Sequence, residues 1–322
     1  MIAFLKLIRF SNLLIIVLTQ YMIRLFLLQP ILSLTGMELQ MSEWEFALMV
    51  LATVFIAAGG YIINDYFDVR IDNINKPEQL IIDKEIKRRS AMAAHAALSS
   101  LGVAIGIFIS WRSNILLSGS ALFAVAVMAL WFYSASFKYQ FLTGNVVVSL
   151  LTAMIPFMVA LFEIPRILVT YNALLIQQQN EIHTTVTDTI LIWVGAYTAA
   201  AFMLSLIREM IKDMEDVEGD IEYGCRTIPI VLGIQKAKAI TFVLIILSSL
   251  GIGYIQFTQY RSKDYMSFFY FLIAVQLPLL LLFFLLFKAN EKKHFHRASM
   301  LVKGIMLIGI FFLIFFRFLL AK

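Results

Sequence analysis

The sequence predicts an all-α polytopic membrane bundle of nine transmembrane helices, on three observations. The 322 residues are 61% hydrophobic and only 15% charged, whereas soluble domains carry about 25% charge; the mean hydropathy is +0.86. Nine separate runs approach the roughly 20 apolar residues that a helix needs to cross ~30 Å of hydrocarbon. The Lys and Arg residues gather on alternate connections between those runs.

The spans read, in order, 10–29, 45–64, 91–110, 115–134, 145–163, 188–207, 239–257, 266–287 and 303–320. The first is long enough to span and shows no cleavage site, so no cleavable leader is expected. One side of the bundle receives the N-terminus and the connections 65–90, 135–144, 208–238 and 288–303, with 19 of the 26 Lys and Arg residues. Basic connections stay in the cytoplasm, which places the N-terminus inside and the C-terminus outside an inner or cell membrane. The 164–187 connection reads as a plain polar loop outside. The basic 288–303 connection, with Lys292, Lys293, His294, His296 and Arg297, reads as an orientation anchor against anionic headgroups. Cys225 is the one cysteine, which excludes an intramolecular disulfide and a cysteine-rich metal site. Residues 1–322 read as a single transmembrane domain with motif loops at 65–90 and 208–238. A net charge of +5 carries no argument for nucleic acid in a membrane protein.

Acidic residues concentrate in two of these connections, six in 65–90 and seven in 208–238, out of 21. Carboxylates beside a bilayer are costly unless they meet something positive. In the first cluster Asn64, Asp68 and Asp72 stand at i, i+4 and i+8, one helical face if span two continues, with Asp65 about 100° away. Oxygen donors on one stripe suit a hard cation completed by water. The alternative, a helix end emerging into water, sits poorly with the negative end of the helix dipole. In the second cluster Glu209, Asp213, Asp216 and Asp220 are spaced 4, 3 and 4, with Arg208 and Lys212 alongside. Gly219 and Gly224 predict the helix break. Arg226, Thr227 and Pro229 follow; a cation and a hydroxyl after an acidic set suit a diphosphate. Both clusters land on the cytoplasmic side, so a joint metal and phosphate site is expected there.

The pattern Asn-Asp-x-x-Asp-x-x-x-Asp after span two and Lys-Asp-x-x-Asp-x-Glu-Gly-Asp after span six resembles the UbiA superfamily of intramembrane prenyltransferases. The resemblance covers nearly the whole chain. Arg9 and Asn12 resemble the pair opening the first span, Tyr133, Ser134 and Lys138 the connection after span four, and Gly144 and Asn145 the entry to span five. Within the superfamily, residues 64–77 and 208–233 are most similar to geranylgeranylglycerol-phosphate geranylgeranyltransferases. One departure stands out. After Asn-x-Pro the family continues Arg-Pro-x-x-x-Gly, where this chain has Gln79, Leu80, Ile81, Ile82, Asp83 and Lys84. Lys76, Lys84 or the run Lys87, Arg88, Arg89 are the alternatives for the missing cation.

The resemblance implies a cytoplasm-facing cavity and transfer of a prenyl group, geranylgeranyl by subfamily, from an allylic diphosphate. The acceptor it implies is geranylgeranylglycerol phosphate, joined through an ether. Two Mg²⁺ ions would neutralise the charge that grows on the leaving diphosphate. The metal set is Asn64, Asp65, Asp68, Asp72, Asp213, Asp216 and Asp220, with Asp68, Asp72, Asp216 and Asp220 central to catalysis. Lys212, Lys138 and Arg226 are diphosphate ligands. Asn12, Tyr133, Tyr139 and Asn145 line the substrate pocket; the tyrosines serve equally as interfacial anchors. The proton acceptor is open between Asp65, Asp72 and the diphosphate. His95 reads as structural. A second reading is prenylation of an aromatic acceptor at ring carbon, for a quinone. A third, divalent-cation transport, expects carboxylates mid-span lining a path, and here they stand at span ends.

Overall fold

A computed structural model describes residues 2–75, 77–182 and 185–320. Among them are nine helices long and apolar enough to cross a membrane: α1 (Phe10–Ser33), α2 (Glu43–Asn75), α3 (Arg88–Arg112), α4 (Leu116–Ala135), α5 (Thr143–Thr170), α6 (Val186–Glu215), α7 (Ile234–Arg261), α8 (Tyr265–Lys288) and α9 (Lys292–Leu320). Each expected span maps to one of them. The described residues form no strand; the sole β feature is an isolated bridge between Ile82 and Ile86. The 164–187 connection differs from expectation. It is largely helical, because α5 runs on to Thr170 and a further helix covers Asn172–Ile182. The motif connections are also more helical than the loops expected at 65–90 and 208–238: α2 carries the first acidic cluster and α6 the start of the second.

Two helices widen into π turns, at Arg24–Leu28 in α1 and Leu272–Gln276 in α8. Pro30 and Pro278 each stand two residues past the turn. A proline cannot donate to the carbonyl one turn back, and a wider turn relieves the clash of its ring.

The chain divides into two compact units. The first holds residues 1–135, 153–198 and 317–322. Lipid gives helices no hydrophobic reason to associate, so small residues that admit close backbone approach drive packing. A Cβ on Gly102 would lie 2.7 Å from Ile56, and one on Gly59 2.6 Å from the Ser99 hydroxyl, so α2 and α3 meet only because these positions are glycine. His95 on α3 uses that closeness. Its Nδ1 lies 2.9 Å from the Gly59 carbonyl, and its ring packs beside Trp131 of α4, the structural role expected of it.

The end of this unit remote from the acidic stretch of α2 is tied by ions. Arg24 and Glu163 are each 1% exposed and pair at 3.3 Å. Arg24 also donates to the Met41 carbonyl at 2.6 Å and stacks on Phe46. Glu163 accepts from the backbone of Gln40 and Met41, fixing the α1–α2 connection. Beside it Glu45 pairs with Arg112 at 2.8 Å and Arg166 at 2.7 Å.

The second unit holds residues 136–152 and 199–316. Its core runs through Ile207, Met210, Ile211 and Met214 of α6, Leu279, Leu282 and Leu286 of α8, and Phe295, Val302 and Ile305 of α9. An aromatic group of Tyr270, Phe271, Phe312 and Phe315 joins α8 to α9. Breaking a buried pair strands a charge and costs about 3–5 kcal/mol. Glu163→Ala is therefore expected to destabilise the protein by about that amount in reversible unfolding from detergent micelles. A loss below about 1 kcal/mol would mean that Glu43, which also pairs with Arg24 at 3.1 Å, suffices to balance its charge.

Candidate active site

In the first unit the acidic stretch sits on the last turns of α2. The helix runs unbroken to Asn75, so the expected shared face forms. Asn64 Nδ2 donates to Asp68 Oδ2 at 2.9 Å, one turn on. Asp72 continues the stripe. Asp65, on the adjacent face, takes a charged hydrogen bond from Arg9 Nη2 at 2.8 Å. Arg9 reaches it from the junction before α1, where its backbone is left-handed at φ 49, and its guanidinium lies over the Tyr61 ring at 5.0 Å. Desolvation lowers the Arg9 pKa, but Asp65, Tyr61 and Asp72 together raise it further, so the group stays cationic. Asp65 is thus held by a guanidinium, and Asp68 by the Asn64 amide. Asn12 stands on the first turn of α1, its backbone N–H donating to the Arg9 carbonyl, and Tyr133 on the last turn of α4.

The segment that departs from the family pattern folds onto this same helix. Asp83 adopts φ 70 in a tight turn, and Ile82 is buried with Leu7, Ile62, Val69 and Ala91. Lys84 turns to the Pro77 carbonyl at 2.7 Å. Arg88, the first residue of α3, stacks over the Tyr66 ring at 4.7 Å and donates to the Tyr66 carbonyl at 3.2 Å. Among the described alternatives for the missing cation, Arg88 packs on the motif helix. Lys76 and the Gln79 side chain lie outside the described residues.

The second unit holds the other set. The expected face from Glu209 to Asp220 is not continuous, because α6 ends at Glu215 and a short helix, Val217–Glu222, follows. Asp216 stands at the break with φ −102 and ψ 10, several residues before the glycines expected to cause it. Asp213 accepts from Asn145 Nδ2 at 2.8 Å, which makes Asn145 a partner of the acidic motif beyond the pocket role expected of it. Glu209 pairs with Arg208 at 2.8 Å and Lys212 at 3.4 Å, so Lys212 points along the helix to a carboxylate. Lys138 lies over the Tyr139 ring at 5.2 Å. The Tyr139 carbonyl accepts from the Arg226 amide at 2.8 Å, and the Asp220 carbonyl from the Cys225 amide at 2.9 Å. These two bonds tie the loop after the motif down. Glu215, whose side chain is 7% exposed, meets His296 of α9 at 3.0 Å. Neither His296 nor the stacking of Arg88 on Tyr66 carries a sequence signal, since each joins residues far apart in the chain.

Among the described residues, no three His, Cys, Asp or Glu side chains converge tightly enough to enclose an ion alone. Mg²⁺ does not need such a cage. It keeps several waters and binds through one or two carboxylates together with substrate phosphates. Asn64 with Asp68, and the carboxylates of Asp216 and Asp220, are hard oxygen donors of that kind.

The UbiA prenyltransferase family matches residues 30–317. The digeranylgeranylglyceryl phosphate synthase of Thermococcus gammatolerans is 28% identical over 280 residues, 84% of this chain and 85% of its own length. That of Thermococcus kodakarensis is 30% identical over 262 residues, 81% of this chain and 82% of its own. A solved digeranylgeranylglyceryl phosphate synthase aligns with a TM-score of 0.63 at 22% identity, covering 98% of this chain and 97% of its own. An Archaeoglobus fulgidus UbiA homolog bound to DMAPP and Mg²⁺ aligns at 0.51 and 16% identity, covering 95% of this chain and 98% of its own; these two likenesses concern the fold. With nine apolar helices, acidic motifs at the ends of α2 and α6, and the match over residues 30–317, the chain belongs to the UbiA prenyltransferase family.

Proposed function

We propose that this prenyltransferase moves a geranylgeranyl group from its diphosphate to geranylgeranylglycerol phosphate, forming an ether, with Mg²⁺ bound at its acidic motifs. The observation that carries the acceptor is the likeness to digeranylgeranylglyceryl phosphate synthases over four fifths or more of both chains. The Mg²⁺ found with DMAPP in the Archaeoglobus homolog supports the metal, as does the donor chemistry of the two motifs.

In the reaction the allylic C1–O bond breaks and diphosphate leaves with the electron pair. The acceptor hydroxyl oxygen attacks C1, and its proton passes to a base. Asn64, Asp68 and Asp72 in one unit, and Asp216 and Asp220 in the other, supply the oxygen donors for metal. Bound Mg²⁺ contributes electrostatic stabilisation of the departing diphosphate. Arg9 holds Asp65 by its charge, and Asn145 holds Asp213 by its amide, so both carboxylates keep fixed orientations. Asp65 is in this reading a positioning group of the first motif, Asp213 of the second. Arg226 and Lys138, with Lys212, offer cationic charge to the diphosphate, and Arg88 stands in for the cation absent at Gln79. Tyr133, Tyr139 and Asn12 line the pocket. The active site opens to the cytoplasm, with the N-terminus inside. A second reading, prenylation of a phenolic acceptor, has the altered 79–84 segment in its favour.

The test is a competition in nanodiscs: labelled geranylgeranyl diphosphate, Mg²⁺, geranylgeranylglycerol phosphate and a set of phenolic acids. Label in an ether lipid is expected; label only in a phenolic product would move the chain to the second reading. Asp68→Ala and Asp216→Ala are each expected to lower kcat/KM by about 10²- to 10³-fold, the scale for losing one preorganised electrostatic group. Asp65→Asn, which keeps an acceptor for Arg9, should fall less than either. Orientation is checked with Lys84→Cys in a Cys225→Ser background. Reaction with an impermeant maleimide in intact cells would contradict the cytoplasmic placement of the 65–90 segment, whereas reaction only after permeabilisation is expected.

A further inference from the structure

The basic connection before α9 is expected from its sequence to be an anchor against headgroups. One of its side chains does something else. His296 turns its Nδ1 to within 3.0 Å of Glu215 Oε1, donating to the carboxylate in the Nδ1–H tautomer. Glu215 is the last residue of α6, and the next residue, Asp216, occupies the break between α6 and the Val217–Glu222 helix.

The direction of Asp216 depends on how that break is held, since its own backbone is outside the helical range. Three ties flank it. Asn145 holds Asp213 on one side. The amide of Cys225 closes back on the Asp220 carbonyl on the other. His296 holds Glu215 between them, and it is itself well supported. Lys238, 4% exposed, donates to the carbonyls of Phe287 and Ala289 and lies over the Phe295 ring. Phe295 is 2% exposed in the core of the unit. The first turns of α9 therefore form a fixed platform from which His296 reaches the acidic motif. The imidazole is 62% exposed, so packing alone does not account for its placement; the partner is the buried carboxylate.

We infer that His296 is a positioning residue for prenyl transfer: through Glu215 it fixes the break that aims Asp216 at metal-bound diphosphate. The inference rests on the proposed metal role of Asp216. Loss of a partner one shell out from a metal ligand typically costs about 10- to 100-fold in metal affinity or activity, and a residue two contacts from the metal is expected to act on affinity.

The test compares the wild type with His296→Ala, His296→Asn and Lys293→Ala in nanodiscs at one pH. The alanine variant is expected to raise the Mg²⁺ concentration for half-maximal rate about tenfold, with kcat at saturating Mg²⁺ changed by no more than about twofold. Mn²⁺ binding in the presence of a non-reactive prenyl diphosphate analogue, read by electron paramagnetic resonance, should weaken in parallel. Asparagine places an amide N–H where Nδ1 stands and should restore both. Lys293→Ala removes a neighbouring charge of the same connection, already paired with Glu291 on the surface, and should move neither. Glu215→Ala combined with His296→Ala should cost no more than either alone if the histidine acts through the carboxylate. A wild-type metal dependence that His296→Ala leaves unmoved would overturn this inference alone. Wild-type transfer without any divalent metal would overturn the reading beneath it, and this inference with it.

Discussion

An ionised carboxylate cannot rest in hydrocarbon without a partner, yet chemistry on a lipid diphosphate needs anionic metal ligands at the membrane. The length of α2 resolves this conflict. Its 33 residues rise about 1.5 Å each, some 50 Å in all, against roughly 30 Å of hydrocarbon. The surplus turns carry Asn64, Asp65, Asp68 and Asp72 beyond the apolar run while keeping them in helical register. A shorter helix would have released these residues into a flexible loop and lost the Asn64–Asp68 alignment. The same constraint acts at the other end of the helix, where Glu45 lies near the span and is matched by Arg112 and Arg166.

The acidic motifs are not uniform sets of ligands. Asp65 answers to Arg9, Asp213 to Asn145, Glu209 to Arg208 and Lys212, and Glu215 to His296. These contacts hold carboxylates on the same helix ends as the proposed ligands Asp68, Asp72, Asp216 and Asp220. Of the four held carboxylates, three face the protein's own basic groups, and burial pushes the pKa of the fourth, Asp213, up to about 8, so they add little repulsion to the ends of α2 and α6.

The parts of this architecture that the sequence discloses are the local ones. Nine spans follow from the length of their apolar runs, and the Asn64, Asp68, Asp72 face follows from the helical period. The break at Asp216 was hidden, because glycines at 219 and 224 are the nearest sequence signals and the helix stops before them. The helix at Asn172–Ile182 was hidden by its polar glutamines, which mask a periodicity that apolar residues would display. Long-range pairs left no trace at all. Arg24 finds Glu163 across 139 residues and Glu215 finds His296 across 81; only the packed helices create those neighbours. The pairing of Asp65 with Arg9 also needed the structure, since an aspartate in a metal-like motif and an aspartate paired with arginine look the same in one dimension.

The central proposal is that a prenyl diphosphate binds together with divalent metal at the acidic motifs. It is tested most directly by calorimetric titration of the nanodisc-embedded protein with a non-hydrolysable geranylgeranyl diphosphate analogue. Binding should require Mg²⁺, vanish in excess chelator, and weaken sharply in Asp68→Ala and in Asp216→Ala, while Asp65→Asn retains most of it. Equal affinity with and without divalent metal, or an affinity indifferent to both alanine substitutions, would contradict the account.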